Sequence, residues 1–96
     1  MSVKLIAMTT LNANEPEALE EYLAVAGPLT EAAGAKLLER YETKKVIHGA
    51  SIPQYVMILE YPNIEVIEVL FASDEYKSII KARDKAFTSY QVAILA

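Results

Sequence analysis

The apolar positions of this chain follow two rhythms, one suited to strands and one to helices. Residues 3–11, VKLIAMTTL, are rich in β-branched and apolar types and predict a first strand. The spacing then changes. Leu19, Tyr22, Leu23, Ala26 and Leu29 share one side of a helix, and Glu17, Glu20, Glu21 and Glu31 fall on the other. Asn14 is the expected N-cap of that helix, with Glu17 three residues on and Pro16 in the first turn, where a missing N–H costs little. The Gly27-Pro28 pair predicts a bend or short break on the solvent side. The helix should continue to Ala33, with Gly34 as its C-cap.

Residues 35–48 read as a second strand in which neither parity is cleanly apolar, the signature of a bulge or an exposed end. Gly49 to Pro53 should form the hairpin loop. The third strand, QYVMILEY, is apolar on both parities from Tyr55 to Leu59, so both of its faces need cover. Pro62 and Asn63 should end it and cap a helix that starts at Ile64, re-caps at Ser73 and ends near Phe87. The last strand, SYQVAILA, is again apolar on both sides.

This order, β-α-β-β-α-β, matches the ferredoxin-like split βαβ plan: an α+β domain in which two helices cover one face of a four-stranded antiparallel sheet. Two helices cover only one face. The second face must pack against something outside the chain, and a second copy of the same chain is the economical answer, giving a homodimer through its sheet faces.

Length and composition agree with one thin core. The chain has 96 residues, enough for a single domain over residues 1–96. A body of this size buries only about 60–65% of the surface its unfolded form exposes, yet 53% of its residues are hydrophobic. With 13 acidic and 9 basic residues the net charge is −4, and no basic cluster exceeds Lys44-Lys45. Such a surface does not suit nucleic acid. The absence of cysteine excludes disulfides and thiolate chemistry and fits a reducing cytoplasm. The apolar run at the start is too short for a secretory segment, and no stretch approaches the roughly 18 apolar residues of a membrane span.

Few residues are left to carry chemistry. The chain has no P-loop, GxGxxG, HExxH or GxSxG motif, and one histidine without cysteine makes a zinc site a poor expectation, so neither metal nor organic cofactor is expected. His48 alone has an ordinary pKa near neutrality, which makes it the acid–base candidate, with Ser51 three residues away. It also reads as a plain strand-end residue. Glu60 closes the apolar run of the third strand and could serve as a base, anchor a cation or simply reach water. Tyrosine outnumbers phenylalanine six to two. Tyr22 and Tyr76, on the inner faces of the two helices, are the candidates to line a pocket. The alanines of the first helix leave room for either a cavity or close packing.

Arg83 is the residue out of place. On a regular helix it shares a stripe with Tyr76, Ile80 and Phe87, against the sheet. An unpaired guanidinium there would cost several kcal/mol. It can snorkel to water, pair with a carboxylate such as Glu60, or point into a pocket and hold a ligand anion. Asp84, about 100° round the helix, is the poorer partner.

Several of these stretches also form a recognisable set: PEALEEYLAVAGPL with Tyr22, the Gly34 turn, His48-Gly49 with Pro53, LEYPNIE after the third strand, and Ser73, Glu75, Tyr76 and Arg83 in an SDEY…R pattern. On these the chain resembles the domain-of-unknown-function 1330 family of the dimeric α+β barrel superfamily, over nearly its whole length. Two positions depart from that family's pattern: His48 stands where a glutamate is usual, and Gly34-Ala35 replaces a glycine pair. The resemblance implies homodimers whose sheets face each other, with a pocket between sheet and helices. Relatives in the superfamily include cofactor-free monooxygenases, isomerases and small-molecule binders. Two expectations follow. In one, the dimer binds an anionic or aromatic metabolite and possesses or lacks a cofactor-free activity on it. In the other, it is a non-catalytic dimer with a pocket filled by its own side chains.

Overall fold

The computed structural model describes residues 2–96. The elements are β1 (Val3–Leu11), α1 (Pro16–Ala32), β2 (Lys36–Glu42), β3 (Tyr55–Tyr61), α2 (Ile64–Ala72), α3 (Asp74–Lys77), α4 (Ile80–Ala86) and β4 (Phe87–Leu95). All strand pairs are antiparallel, in the order β2-β3-β1-β4. This is the expected ferredoxin-like α+β plan, with the helices packed on one face.

Strand alternation assigns that face residue by residue. Leu5, Ala7 and Thr9 of β1 are buried beneath the helices. Their cross-strand partners are Leu59, Met57 and Tyr55 on β3, and Ile94, Val92 and Tyr90 on β4. The opposite face carries Lys4, Ile6, Met8 and Thr10, with Val56, Ile58 and Glu60 beside them. Among the described residues no element covers it.

The mixed pattern of β2 resolves as a bulge. Leu37 pairs with Leu59 but Glu39 with Ile58, leaving Leu38 as the extra residue. The strand is shorter than expected, ending at Glu42 rather than reaching residue 48. Thr43 donates its N–H to the Gln54 carbonyl at 2.8 Å, and the next partner in line would be Pro53, which has no N–H to extend the ladder.

The helix ends show where side chains compete with the backbone. Asn14 does not cap α1. Glu15 occupies the N-cap without a side-chain hydrogen bond, because Asn12 makes the turn: its Oδ1 accepts from the Asn14 N–H at 3.1 Å, and its carbonyl accepts from the Glu15 N–H at 3.1 Å. α1 runs unbroken through Pro28. Gly27 permits this, since it has no Cβ to collide with the proline ring. The far end closes as a Schellman motif, with Gly34 donating to Glu31 and Ala35 to Thr30. Gly34 has φ +85°, and an added Cβ would lie 2.9 Å from Cγ of Pro62.

Asn63 caps α2 by accepting from the Val66 N–H at 3.0 Å, and Ser73 caps α3 by accepting from the Tyr76 N–H at 3.2 Å. A further break falls at Ser78-Ile79. Ser78 Oγ donates to the Glu75 carbonyl at 2.6 Å, competing with the helix's own bonds, and Ile79 turns into the core. The break rotates the final helix. Its buried positions are Ala82 and Ala86, preceded by Ile79, with Arg83 beside that stripe rather than in its middle. Phe87 already belongs to β4.

Candidate functional site

The helices do not fill the space over the sheet. A cavity of about 390 Å³ lies between α1 and the covered face. The strand register arranges its floor in rows. One row, Met57, Ala7 and Val92, is apolar; the next, Tyr55, Thr9 and Tyr90, is polar. The roof is α1, which contributes Tyr22, Ala26 and Thr30. Alanine at the centre of floor and roof is what leaves the volume open. Leu23, expected in the core, is 52% exposed at the cavity's edge, because the inner side of α1 overlooks space rather than packed atoms.

At one end three phenols meet. The Tyr22 and Tyr76 hydroxyl oxygens are 3.0 Å apart, Tyr22 donates to Tyr90 at 3.0 Å, and Tyr76 donates to Tyr90 at 3.2 Å. Tyr22 packs edge-on against both other rings and against Phe87. The Tyr90 hydroxyl meets both of the others, and its ring lines the cavity. Burial pushes the Tyr22 hydroxyl far above its usual pKa, reinforced by the neighbouring phenols. Burial also raises Tyr90, although the Tyr22 hydrogen bond and the Arg83 charge pull the other way. Both stay protonated at neutral pH and act as hydrogen-bond donors, not bases.

Arg83 closes the phenol cluster from behind. Its Nη1 donates to the Tyr76 hydroxyl at 3.3 Å, and its guanidinium carbon lies 5.1 Å from the Tyr90 ring centre. The remaining nitrogens reach Asp84 Oδ1 at 3.3 and 3.4 Å. That pairing corrects the expectation: Asp84 is within reach because the Arg83 stem lies beside the buried stripe, 24% exposed, rather than pinned beneath it. A pair this open contributes about 0–1 kcal/mol. Burial works against the charge, but the Tyr76 and Asp84 hydrogen bonds more than offset it. Arg83 does not line the cavity. Glu60, its expected partner, faces the open side of the sheet, where its Oε2 accepts from Ser2 Oγ at 3.2 Å.

His48 and Ser51 are exposed in the 43–54 connection and lie outside the cavity lining. The structure thus brings together Tyr22, Tyr76 and Arg83 and leaves His48 and Glu60 apart from them. It adds three residues that sequence reasoning missed: Tyr90, Thr9 and Arg40. Regular alternation from Leu37 would turn Arg40 to the open face. The bulge at Leu38 turns it to the covered face instead, opposite Met57, where it stacks 4.7 Å over the Tyr55 ring and lines the cavity. The uneven patterning of β2 signalled the bulge but not its position.

Among the described residues no group of three or more His, Asp or Glu side chains is placed to hold a metal, and no helix is long and apolar enough to cross a membrane.

Solved structures share this architecture over almost the whole chain. The RPA0582 protein of unknown function from Rhodopseudomonas palustris superposes with a TM-score of 0.81 at 19% identity, covering 98% of this chain and 80% of that one. Rv0793 from Mycobacterium tuberculosis gives 0.65 at 20% identity, with 100% and 94% covered. SnoaB, a cofactor-independent oxygenase from Streptomyces nogalater, gives 0.64 at 10% identity, with 99% and 91% covered. At these identities the likeness is one of fold. No curated protein matches the sequence. The family model described as "Domain of unknown function (DUF1330)" matches residues 5–96. The chain therefore belongs to the DUF1330 family.

Proposed function

We propose that this protein binds a small, largely apolar or aromatic molecule in the cavity beneath α1, and that it does so as a homodimer joined through its open sheet faces. The observation that carries the binding reading is the cavity itself. Its volume of about 390 Å³ falls in the range of about 300–1,000 Å³ usual for ligand sites, and its wall is apolar with a few converging polar groups. Tyr22 and Tyr90 line one end, and Tyr76 and Arg83 hold those rings in place from behind. Space left open in so small a core counts against a pocket filled by the protein's own side chains, since empty volume forfeits packing energy.

The dimer reading rests on the open face. Ile6, Met8, Val56 and Ile58 form its centre, and exposed Tyr41 and Leu95 lie beyond them. Left in water they would make a large apolar patch.

Binding is favoured over proton-transfer catalysis. The titratable groups in the lining are Tyr22, Tyr55, Tyr61, Tyr90 and Arg40, with no carboxylate or imidazole among them. A cofactor-free reaction of the class named for the Streptomyces nogalater protein would have to draw its base from the ligand or from outside this lining.

The test fills the cavity from its floor. Ala7→Leu places a larger side chain at the centre of the void. The variant should keep its circular dichroism and thermal midpoint while a neutral aromatic probe, 1-naphthaleneacetamide, binds at least ~10-fold more weakly than to the parent, a loss of about 1.4 kcal/mol. Equal affinity in the two proteins would place the probe elsewhere and sink the reading.

A further inference from the structure

The cavity lining contains one charged side chain, Arg40, in a protein that carries 13 acidic residues. None of those acids lines the cavity. Arg40 also forms no ion pair among the described residues. The neighbouring carboxylates are otherwise placed: Glu39 faces the open side and accepts from the Tyr41 hydroxyl at 2.6 Å, and Glu42, opposite Tyr55, does not bridge to Arg40. The position is a product of backbone geometry. Without the extra residue at Leu38, Arg40 would point away from the helices. Stacking over Tyr55 steadies the guanidinium at the cavity's solvent-exposed edge, where it makes no hydrogen bond to protein among the described residues.

The other polar groups of the lining complete a gradient. Thr9 is 4% exposed and, the tyrosines aside, is the one buried polar residue among the described residues. Among the described residues its hydroxyl has no hydrogen-bond partner, and it lies in the floor between Tyr55 and Tyr90. The Tyr90 hydroxyl, in contact with those of Tyr22 and Tyr76, lies at the far end of that row. Arg40 and the apolar residues Met57, Ala7 and Val92 belong to one row of the sheet. A flat body over that row would have a cation at one end and two hydroxyls along one side.

We propose that Arg40, turned into the cavity by the bulge at Leu38, determines ligand specificity, and that it selects an aromatic or similarly flat apolar acid whose carboxylate it binds. This deepens the binding reading above and rests on it. Arg40, and not Arg83, is the anion anchor: Arg83 already shares its donors between Tyr76 and Asp84 and lies outside the lining. A guanidinium offers a carboxylate two parallel charge-assisted bonds, while an amide of the same shape gains much less from it.

The experiment compares 1-naphthaleneacetate with 1-naphthaleneacetamide at low ionic strength, by fluorescence titration of the full chain. The parent should bind the acid about 10-fold more tightly than the amide, the scale expected of one charge-assisted contact. Arg40→Gln should bring the acid down to the amide while leaving the amide within about twofold of the parent, and Arg40→Lys should keep part of the preference. Arg83→Gln, which alters the phenol cluster for both probes alike, should leave the ratio intact. If the amide binds but the ratio is near one, survives Arg40→Gln or collapses in Arg83→Gln, Arg40 is not the anchor and the cavity reading stands. If neither probe binds, both are overturned.

Discussion

The two faces of the sheet are built from the same strands and left unfinished in different ways. The face under the helices is roofed by α1 but not filled, open along β2, with alanines at the centre of floor and roof and a cluster of phenols at one end. The other face is filled with branched and long apolar side chains but not enclosed. Alternation along a strand tells the faces apart, yet it treats both as apolar. Residue size and topology make the difference: small residues beneath a helix leave a void, and large residues without a helix leave an open surface. One deficit suits a small molecule and the other suits a protein surface of matching shape.

The largest expected effect attacks the open face. Ile58→Asp puts a carboxylate at its centre, next to Ile6. Burying that charge in a dimer interface costs several kcal/mol, so dimer dissociation should strengthen by at least ~10²-fold. Light scattering should give a dimer for the parent and a monomer for the variant, with the cavity still formed. A monomeric parent at micromolar concentration would break the comparison, because the open face would then be stable in water.

The next effect concerns how the helical layer is attached. Gly34 ends α1 with φ +85° and lies directly against Pro62, which leads from β3 towards α2. Gly34→Ala combines left-handed backbone strain of about 1–2 kcal/mol with a contact that forces the ring to shift. A fall in the urea midpoint of corresponding size is expected, with little change in dimer mass. A near-neutral result would mean that the enclosing layer is far more loosely attached than the geometry implies.

The phenol cluster should give a smaller loss. Tyr22→Phe keeps the edge-on packing but removes one corner of the hydroxyl triangle, at about 1–2 kcal/mol. The same groups set an alkaline limit. Burial raises the pKa of Tyr22 and Tyr90 above the ordinary value of 10.0. Above pH ~10 the unfolded chain therefore loses protons that the folded chain retains, and stability falls as pH rises. Below that pH both states hold the protons and these tyrosines contribute no slope. Denaturant midpoints followed from pH 9 upward should decline, and less steeply in a Tyr22→Phe, Tyr90→Phe double variant. An identical slope in the two proteins would assign the alkaline loss to other groups.

How much of this was legible in the sequence depends on the range of the interactions involved. The element order, the cap at Asn63, the second cap at Ser73 and the two-sided patterning of β3 are written in residues within a few positions of one another. The site is not. Arg40 enters the cavity through a single-residue slip in pairing, set by the register of β2 on β3, which no local pattern locates. Nothing in the sequence singles out Tyr90, because a strand tyrosine next to a void looks the same as one in a packed interior. The helical stripe assigned to Arg83 assumed an unbroken helix. Ser78, whose hydroxyl bonds back to Glu75, breaks it and moves the arginine aside by a fraction of a turn. The volume itself is a remainder: it depends on how far α1 stands off the sheet, and that follows from all the contacts together.

The smallest expected effect is the one that best separates an empty floor from a packed one. Thr9 lies in the row between Tyr55 and Tyr90 and is almost wholly buried. In a filled core its hydroxyl would need a protein partner, and Thr9→Val would leave that partner unsatisfied, at a cost of about 1–3 kcal/mol. Here the hydroxyl meets the cavity and not another residue, so replacing it with a methyl removes no protein–protein bond. It exchanges one polar group facing the void for an apolar one of nearly the same shape. Stability should then change by no more than about 0.5 kcal/mol, and the urea midpoint should be nearly unmoved. Binding of 1-naphthaleneacetamide should weaken in the same variant, because the floor loses a group able to bond its amide. A large drop in the midpoint would mean that Thr9 is tied into the protein and that this row belongs to the packed core rather than to the site.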